Sequence, residues 1–175
     1  MRRKAEVHGM TRKEITDFLG NLLIKEKFSG LGKYWASEVS IDYGTTDVKR
    51  VDFMQFKPEG VVGGVSGIEK GIFICYEVKS CKADFESGFG RNFIGEENYF
   101  VMPMATYKEV IHDIPHNVGV LVPVPVYIDK YEEFENPTEL SEEQEWRLYA
   151  IRSARPQLRT RSMAELLFCM LRSGK

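Results

Sequence analysis

The first strongly patterned stretch is 11–25, where Ile15, Phe18, Leu19, Leu22 and Leu23 recur at i, i+3, i+4, i+7 and i+8. That spacing lines one side of a helix. Thr11 with Glu14 three residues on has the form of a capping box, which sets the start of the helix. Beyond Gly30 and Gly32 the period shortens. Trp35, Val39 and Ile41 alternate with Glu38, Ser40 and Asp42, and Gly44-Thr-Thr-Asp supplies a turn before a second predicted strand over about 49–56. A glycine-rich stretch (Gly60, Gly63, Gly64, Gly67) leads into the run Gly71-Ile-Phe-Ile-Cys-Tyr-Glu-Val-Lys79. This run is apolar at odd and even positions alike, as in a central strand covered on both faces. Residues 98–102 and 118–122 predict two more short strands, with a helix over 106–112 between them. Beyond Pro137, Ser141 with Gln144 and Ser162 with Glu165 repeat the capping-box spacing. They precede Trp146, Leu148, Tyr149, Ile151 and Met163, Leu166, Leu167, Met170, so two helices are expected to close the chain. The order predicts an α/β fold, a mixed central sheet flanked by helices, with two C-terminal helices.

Composition adds bounds. With 175 residues, 43% of them hydrophobic and 29% charged, the chain can bury a core without disulfides or a structural metal. One domain is expected: an α/β core over 1–128, then an acidic hinge and basic helical extension over 129–175. Three cysteines without a C-x-x-C pair argue against a disulfide framework or a zinc ribbon. No apolar run approaches the ~20 residues of a membrane span. The basic start is not followed by an apolar segment of the secretory type, so a cytoplasmic protein with no membrane partner is expected. The net charge of −2 does not suggest a polyanionic partner, but its distribution is uneven. Residues 129–145 set eight carboxylates against Lys130, and 146–175 set six arginines and Lys175 against Glu165. A phosphate-binding face would produce this asymmetry, and so would a solvated helix pair neutralised by its acidic neighbour.

The end of the apolar run carries the chemistry. On a strand Glu77 and Lys79 project from the same face and Val78 from the other. Two opposite charges there need partners, because an unpaired buried charge costs several kcal/mol. An ion-pair network would meet that need. If 49–56 and the apolar run form a hairpin, Asp52 lies beside Glu77, giving two carboxylates and one lysine at a single point. Two carboxylates suit a hard cation such as Mg²⁺, which keeps several waters and accepts phosphate oxygens. The ammonium could orient a water or offset developing charge. That combination fits phosphodiester hydrolysis.

Asp52, a gap of 24 residues and then Glu77-Val-Lys79 after a hydrophobic strand resembles the core of the PD-(D/E)XK nuclease superfamily. The run Tyr76-Glu-Val-Lys-Ser-Cys-Lys-Ala-Asp-Phe85, followed by Asn98-Tyr-Phe-Val-Met-Pro103 and Val118-Gly-Val-Leu-Val-Pro123, is similar to the MmcB-like DNA-repair branch and to small phage-encoded members. The resemblance spans about 11–123. It implies a restriction-endonuclease-like fold and a Mg²⁺-dependent hydrolase acting on DNA in repair, recombination or a mobile element, with Mn²⁺ as a substitute ion. It implies that Asp52 and Glu77 bind the metal and that Lys79 assists the water. Glu14 on the first helix is the matching fourth residue, although its capping role competes. Val51 stands where the family name has proline.

Nucleic-acid contacts have further candidates. Phe89, Arg91, Asn92 and Phe93 sit among glycines in 87–95, a loop able to stack on bases and grip phosphate, or equally to serve as turn and core. Ser80 and Lys82 flank the site and could touch phosphate or simply face solvent. Arg155, Arg159 and Arg161 are the basic-tail candidates. His112 and His116 have a metal-ligand spacing only if helical, which Pro115 opposes. Cys81 has no histidine positioned to activate it, and 60–71 matches neither a P-loop nor a dinucleotide fingerprint. Two other function classes compete with the nuclease: a non-catalytic nucleic-acid-binding module, and a protein that docks a partner through its C-terminal helices.

Overall fold

The computed structural model describes residues 9–60 and 65–173. The basic N-terminal stretch, Gly63, Gly64 and Lys175 lie outside the described residues. Helix α1 (Arg12–Leu23) begins at Thr11 with both halves of the capping box formed and runs into a π-helical turn, Ile24–Phe28. There follow β1 (Tyr34–Ile41), β2 (Lys49–Lys57), α2 (Val65–Glu69), β3 (Ile72–Val78), α3 (Lys82–Glu86), β4 (Glu97–Val101), α4 (Met104–Val110), β5 (Gly119–Pro125), α5 (Lys130–Glu135), β6 (Trp146–Arg152) and α6 (Met163–Ser173).

The six strands form one sheet in sequence order. β1, β2 and β3 pair antiparallel, β3, β4 and β5 pair parallel through the helical crossovers α3 and α4, and β6 returns antiparallel to β5. The fold is therefore the expected mixed α/β sheet flanked by helices, with one correction. The segment behind Ser141 and Gln144 is a strand, and a single helix closes the chain. Trp146 and Leu148 are buried while Arg147 between them is exposed, the period of a strand rather than a helix. Ser141 caps a turn, through its hydroxyl and the Glu143 amide, and β5 supplies the pairing edge. The described part of this extension, residues 129–173, is thus woven into the sheet and core. The short acidic helix α5, capped by Asp129, was not anticipated.

Each face of the sheet has its own cover. On one, Leu19, Leu22 and Leu23 of α1 pack with Phe28, Tyr76, Val78, Trp146 and Leu148. On the other, Leu166, Cys169 and Met170 of α6 cover Val39, Val51, Met54, Phe73 and Cys75. The same side continues under α3 and α4, where Phe85, Met104, Tyr107 and Val110 meet Phe100, Val120 and Val122.

The β1–β2 ladder has one irregular point. Pairing runs Ala36 to Met54 and Ser37 to Phe53, then resumes at Val39 with Val51, passing over Glu38 and Asp52. Glu38 takes a positive φ of 53° there, and the residues buried under α6 change phase from Val51 to Met54. Asp52 stands at this break, one residue past the Phe53–Tyr76 pair that ends the β2–β3 ladder.

Candidate functional site

The break in β2 and the end of β3 share one corner of the sheet. Extending the β2–β3 register by one step sets Asp52 across from Glu77, and the Val78 amide donates to Asp52 Oδ2 at 2.8 Å. The hairpin proximity expected from sequence is present. Glu77 and Lys79 project onto the side that α3 covers, since Glu77 is in register with Phe100 of the cluster under that helix. Both are buried, at 4% and 3% exposure. Lys79 is held at the strand end by its own amide, which donates to the Val101 carbonyl.

The ammonium of Lys79 donates to the Phe89 carbonyl at 2.7 Å and lies 3.8 Å from Asp84 Oδ1. Asp84, on α3, also accepts from the Ser80 amide and hydroxyl, so it locks the turn that follows β3. Glu77 is less well served. Its Oε1 is buried with no hydrogen-bond partner among the described residues. Burial first, and the Asp52 carboxylate second, push its pKa up to about 9 against the pull of Lys79. Burial also raises Asp52, with the Val78 hydrogen bond and Lys79 opposing it. Gly90, at φ +70°, closes over this point: a Cβ there would sit 2.5 Å from Glu77 Oε2 and 3.3 Å from Lys79 Nζ.

These groups line an open cavity of about 680 Å³ together with Lys49, Arg50, Phe89 and Asn92. Two carboxylates and one orphaned oxygen fit a divalent cation that retains most of its waters. Among the described residues no group of three or more His, Cys, Asp or Glu is placed to hold a metal ion, and Asp52 and Glu77 are the two carboxylates that could do so at this corner.

The remaining candidates divide. Asn92 lines the cavity and donates to the Arg50 carbonyl. Lys82 is half exposed, paired with Glu86 one turn on. Five candidates do not line the cavity and are engaged elsewhere in the fold. Glu14 is not in the site: Thr16 is the α1 residue that lines the cavity, whereas the Glu14 carboxylate accepts from the Thr11 amide, which lowers its pKa, and Glu14 lines a separate pocket with Glu139, Glu142 and Glu143. Ser80 is buried and spent on Asp84. Arg91 donates to the Phe85 carbonyl and lies 4.5 Å over the Phe85 ring. Arg159 pairs with Glu96 at 2.5 Å, and Arg161 with Asp42 and Glu165 at 2.6 and 3.0 Å. Of the tail candidates, Arg155 alone remains exposed. His112 and His116 sit on exposed turn positions after α4.

Sequence reasoning did not assign roles to Asp84, Gly90 or Thr16, all beside the site. Asp84 could have been found from its i+4 spacing to Ser80 in a turn that must cap α3. The approach of Gly90 follows from loop closure and left no local trace.

No family model matches the chain, and no curated protein matches it. A solved protein of unknown function from Silicibacter pomeroyi shares the fold, with 16% identity and a TM-score of 0.55 over 88% of this chain and 82% of that one. No helix of the described residues is long and apolar enough to cross a membrane.

Proposed function

We propose that the protein is a metal-dependent nuclease of the PD-(D/E)XK type, hydrolysing phosphodiester bonds in DNA with Mg²⁺ held by Asp52 and Glu77. The observation that carries this reading is the unpartnered Oε1 of a buried Glu77, beside a second carboxylate and a buried ammonium in an open cavity. A self-contained ion-pair network would leave no such oxygen, because buried polar atoms are nearly always paired. A cation satisfies it and favours the ionised carboxylate against the burial and the Asp52 charge that raise its pKa. When bound, such an ion supplies polarisation of a phosphoryl oxygen and a more acidic water.

The chain's own groups do the rest. Asp52 is fixed in orientation by the Val78 amide. Lys79 carries donors only, so it can hold a water by its oxygen or offset charge gathering on the phosphoryl oxygens. In the hydrolysis the water oxygen forms the new bond to phosphorus, the bond to the ester oxygen breaks, and that oxygen departs with a proton. Asp84 positions Lys79 from the far side.

The test is cleavage of single-stranded, duplex and branched DNA with Mg²⁺ and with chelator. Wild type should cut only with metal, and Lys79→Ala should lose about 10² to 10³ in rate while calorimetry still records Mg²⁺ binding. Glu77→Gln should lose the binding heat as well. DNA bound but never cut would favour the binding-module alternative. No metal-dependent cleavage on any substrate, with Lys79→Ala altering only the melting temperature, would leave a structural ion-pair network.

A further inference from the structure

Phe89 is an unusual neighbour for such a site. It is 81% exposed, yet it lines the same cavity as Asp52, Glu77 and Lys79. Its backbone is firmly placed. The carbonyl accepts from Lys79 Nζ at 2.7 Å. The flanking Gly88 and Gly90 take φ values of +76° and +70°, a conformation that glycine adopts freely and other residues only under strain. Just beyond, Arg91 is clamped to Phe85, and Asn92 ties the loop to β2 through the Arg50 carbonyl. The loop therefore holds a bare aromatic ring at the cavity, with the attachment point of the ring one residue from the contact over Glu77.

A phenylalanine ring has no polar handle, so what it recognises is apolar surface or another π face. Apart from Val48, Val78 and the two glycines, the rest of the cavity lining is polar or charged, with Lys49 and Arg50 of β2 among it. Lys49 lies 3.6 Å from Asp47 and Arg50 2.9 Å from Glu38, both solvent-exposed pairs of the kind that contribute little and yield readily to a stronger anion. An aromatic face, cationic groups and a metal-binding carboxylate pair in one cavity suit a nucleotide unit: base on the ring, phosphates toward the charges. In a continuous duplex both faces of each base are covered by its neighbours, and an unpaired nucleotide offers one.

Resting on the nuclease reading, we propose that Phe89 stacks on an unpaired base next to the scissile phosphate, so that the preferred substrate is single-stranded at the point of cleavage.

The experiment uses the full chain in Mg²⁺ buffer and oligonucleotides carrying 2-aminopurine, as a single strand, as a hairpin-closed duplex and as a blunt-ended duplex. Fluorescence quenching is followed from mixing, so stacking is read before any cleavage. Wild type should quench the single strand strongly and the closed duplex hardly at all. Phe89→Ala should weaken single-strand binding about 10- to 100-fold, the range for loss of one stacked base, with duplex binding and melting temperature unchanged, and Phe89→Trp should restore it. Equal losses on single strand and duplex, no loss at all, or no binding by wild type would overturn the proposal. Quenching confined to the blunt-ended duplex would also overturn it, by assigning the ring to a terminal base pair. The two readings fail separately: metal-dependent cleavage that Phe89→Ala leaves unchanged retains the nuclease without the stacking, and selective single-strand loss without cleavage retains the stacking without the nuclease.

Discussion

Two regions of the molecule are rich in charge, and their charges are treated in opposite ways. In the basic tail four of the six guanidiniums are consumed. Arg152 donates to the carbonyls of Ile114 and Pro115, Arg159 and Arg161 are paired with Glu96 and with Asp42 and Glu165, and Arg172 lies 4.2 Å over Tyr43. At the ends of β2 and β3 the balance is incomplete: a buried carboxylate oxygen stands unpartnered and two carboxyls are pushed upward. Charge that is fully answered from within the chain is holding the fold together. A polar group that the fold buries and leaves unanswered is the mark that sets a candidate site apart from such a network.

The largest effect that can break this contrast comes from pH. The folded Glu77 carboxyl, at about 9, keeps a proton that the unfolded chain gives up near its ordinary 4.5. Between those values the unfolded state binds fewer protons, so the contribution of Glu77 to the stability of the metal-free protein is fully present below about 4.5 and is lost as pH rises toward 9. Glu77→Gln removes that loss. In chelator, the melting-temperature advantage of the variant should widen steadily from pH 5 to pH 9, at most by about 1.4 kcal/mol per pH unit. Parallel curves would show that Glu77 is already paired.

Next in size is Arg159→Ala. It strands Glu96, whose other oxygen accepts from the Phe73 amide, and should cost about 1 to 3 kcal/mol in chemical denaturation. Replacing Arg155, Arg159 and Arg161 together should nonetheless change the slope of log K against log salt for DNA binding by no more than the roughly 0.7 to 0.9 of a single contact. A loss worth three contacts would mean that these pairs open to bind phosphate. Smallest is Glu14→Gln, which should slightly lower the melting temperature and leave cleavage unchanged. A large drop in rate would return Glu14 to the site.

What the sequence made legible follows the range of the forces involved. α1 and its capping box are local, and so is the apolar run of β3, so both were readable. Asp52, Glu77 and Lys79 were readable too, because opposite charges at the end of an apolar strand demand an explanation. β6 was misread because Trp146, Leu148, Tyr149 and Ile151 suit either period, and the deciding partner is β5, some twenty residues earlier. Glu14 lies elsewhere because packing decides which residue of α1 turns toward the cavity, and that residue is Thr16. Phe89 was legible as a loop residue able to stack, but its place at the site, like that of Gly90, comes only with the closure of the loop around Lys79.

The kink at Glu38 has a consequence for the protein in a crowd. β1 is the outer strand of the sheet, and a flat outer strand invites another chain to add itself by main-chain pairing. Here the strand is bent at its middle by a residue at φ 53°, whose exposed carboxylate is tied to Arg50. An incoming chain would find four residues in register on one side of the bend, three on the other, and a charge between them. The irregularity that frees Asp52 from its ladder also makes this edge a poor template for aggregation.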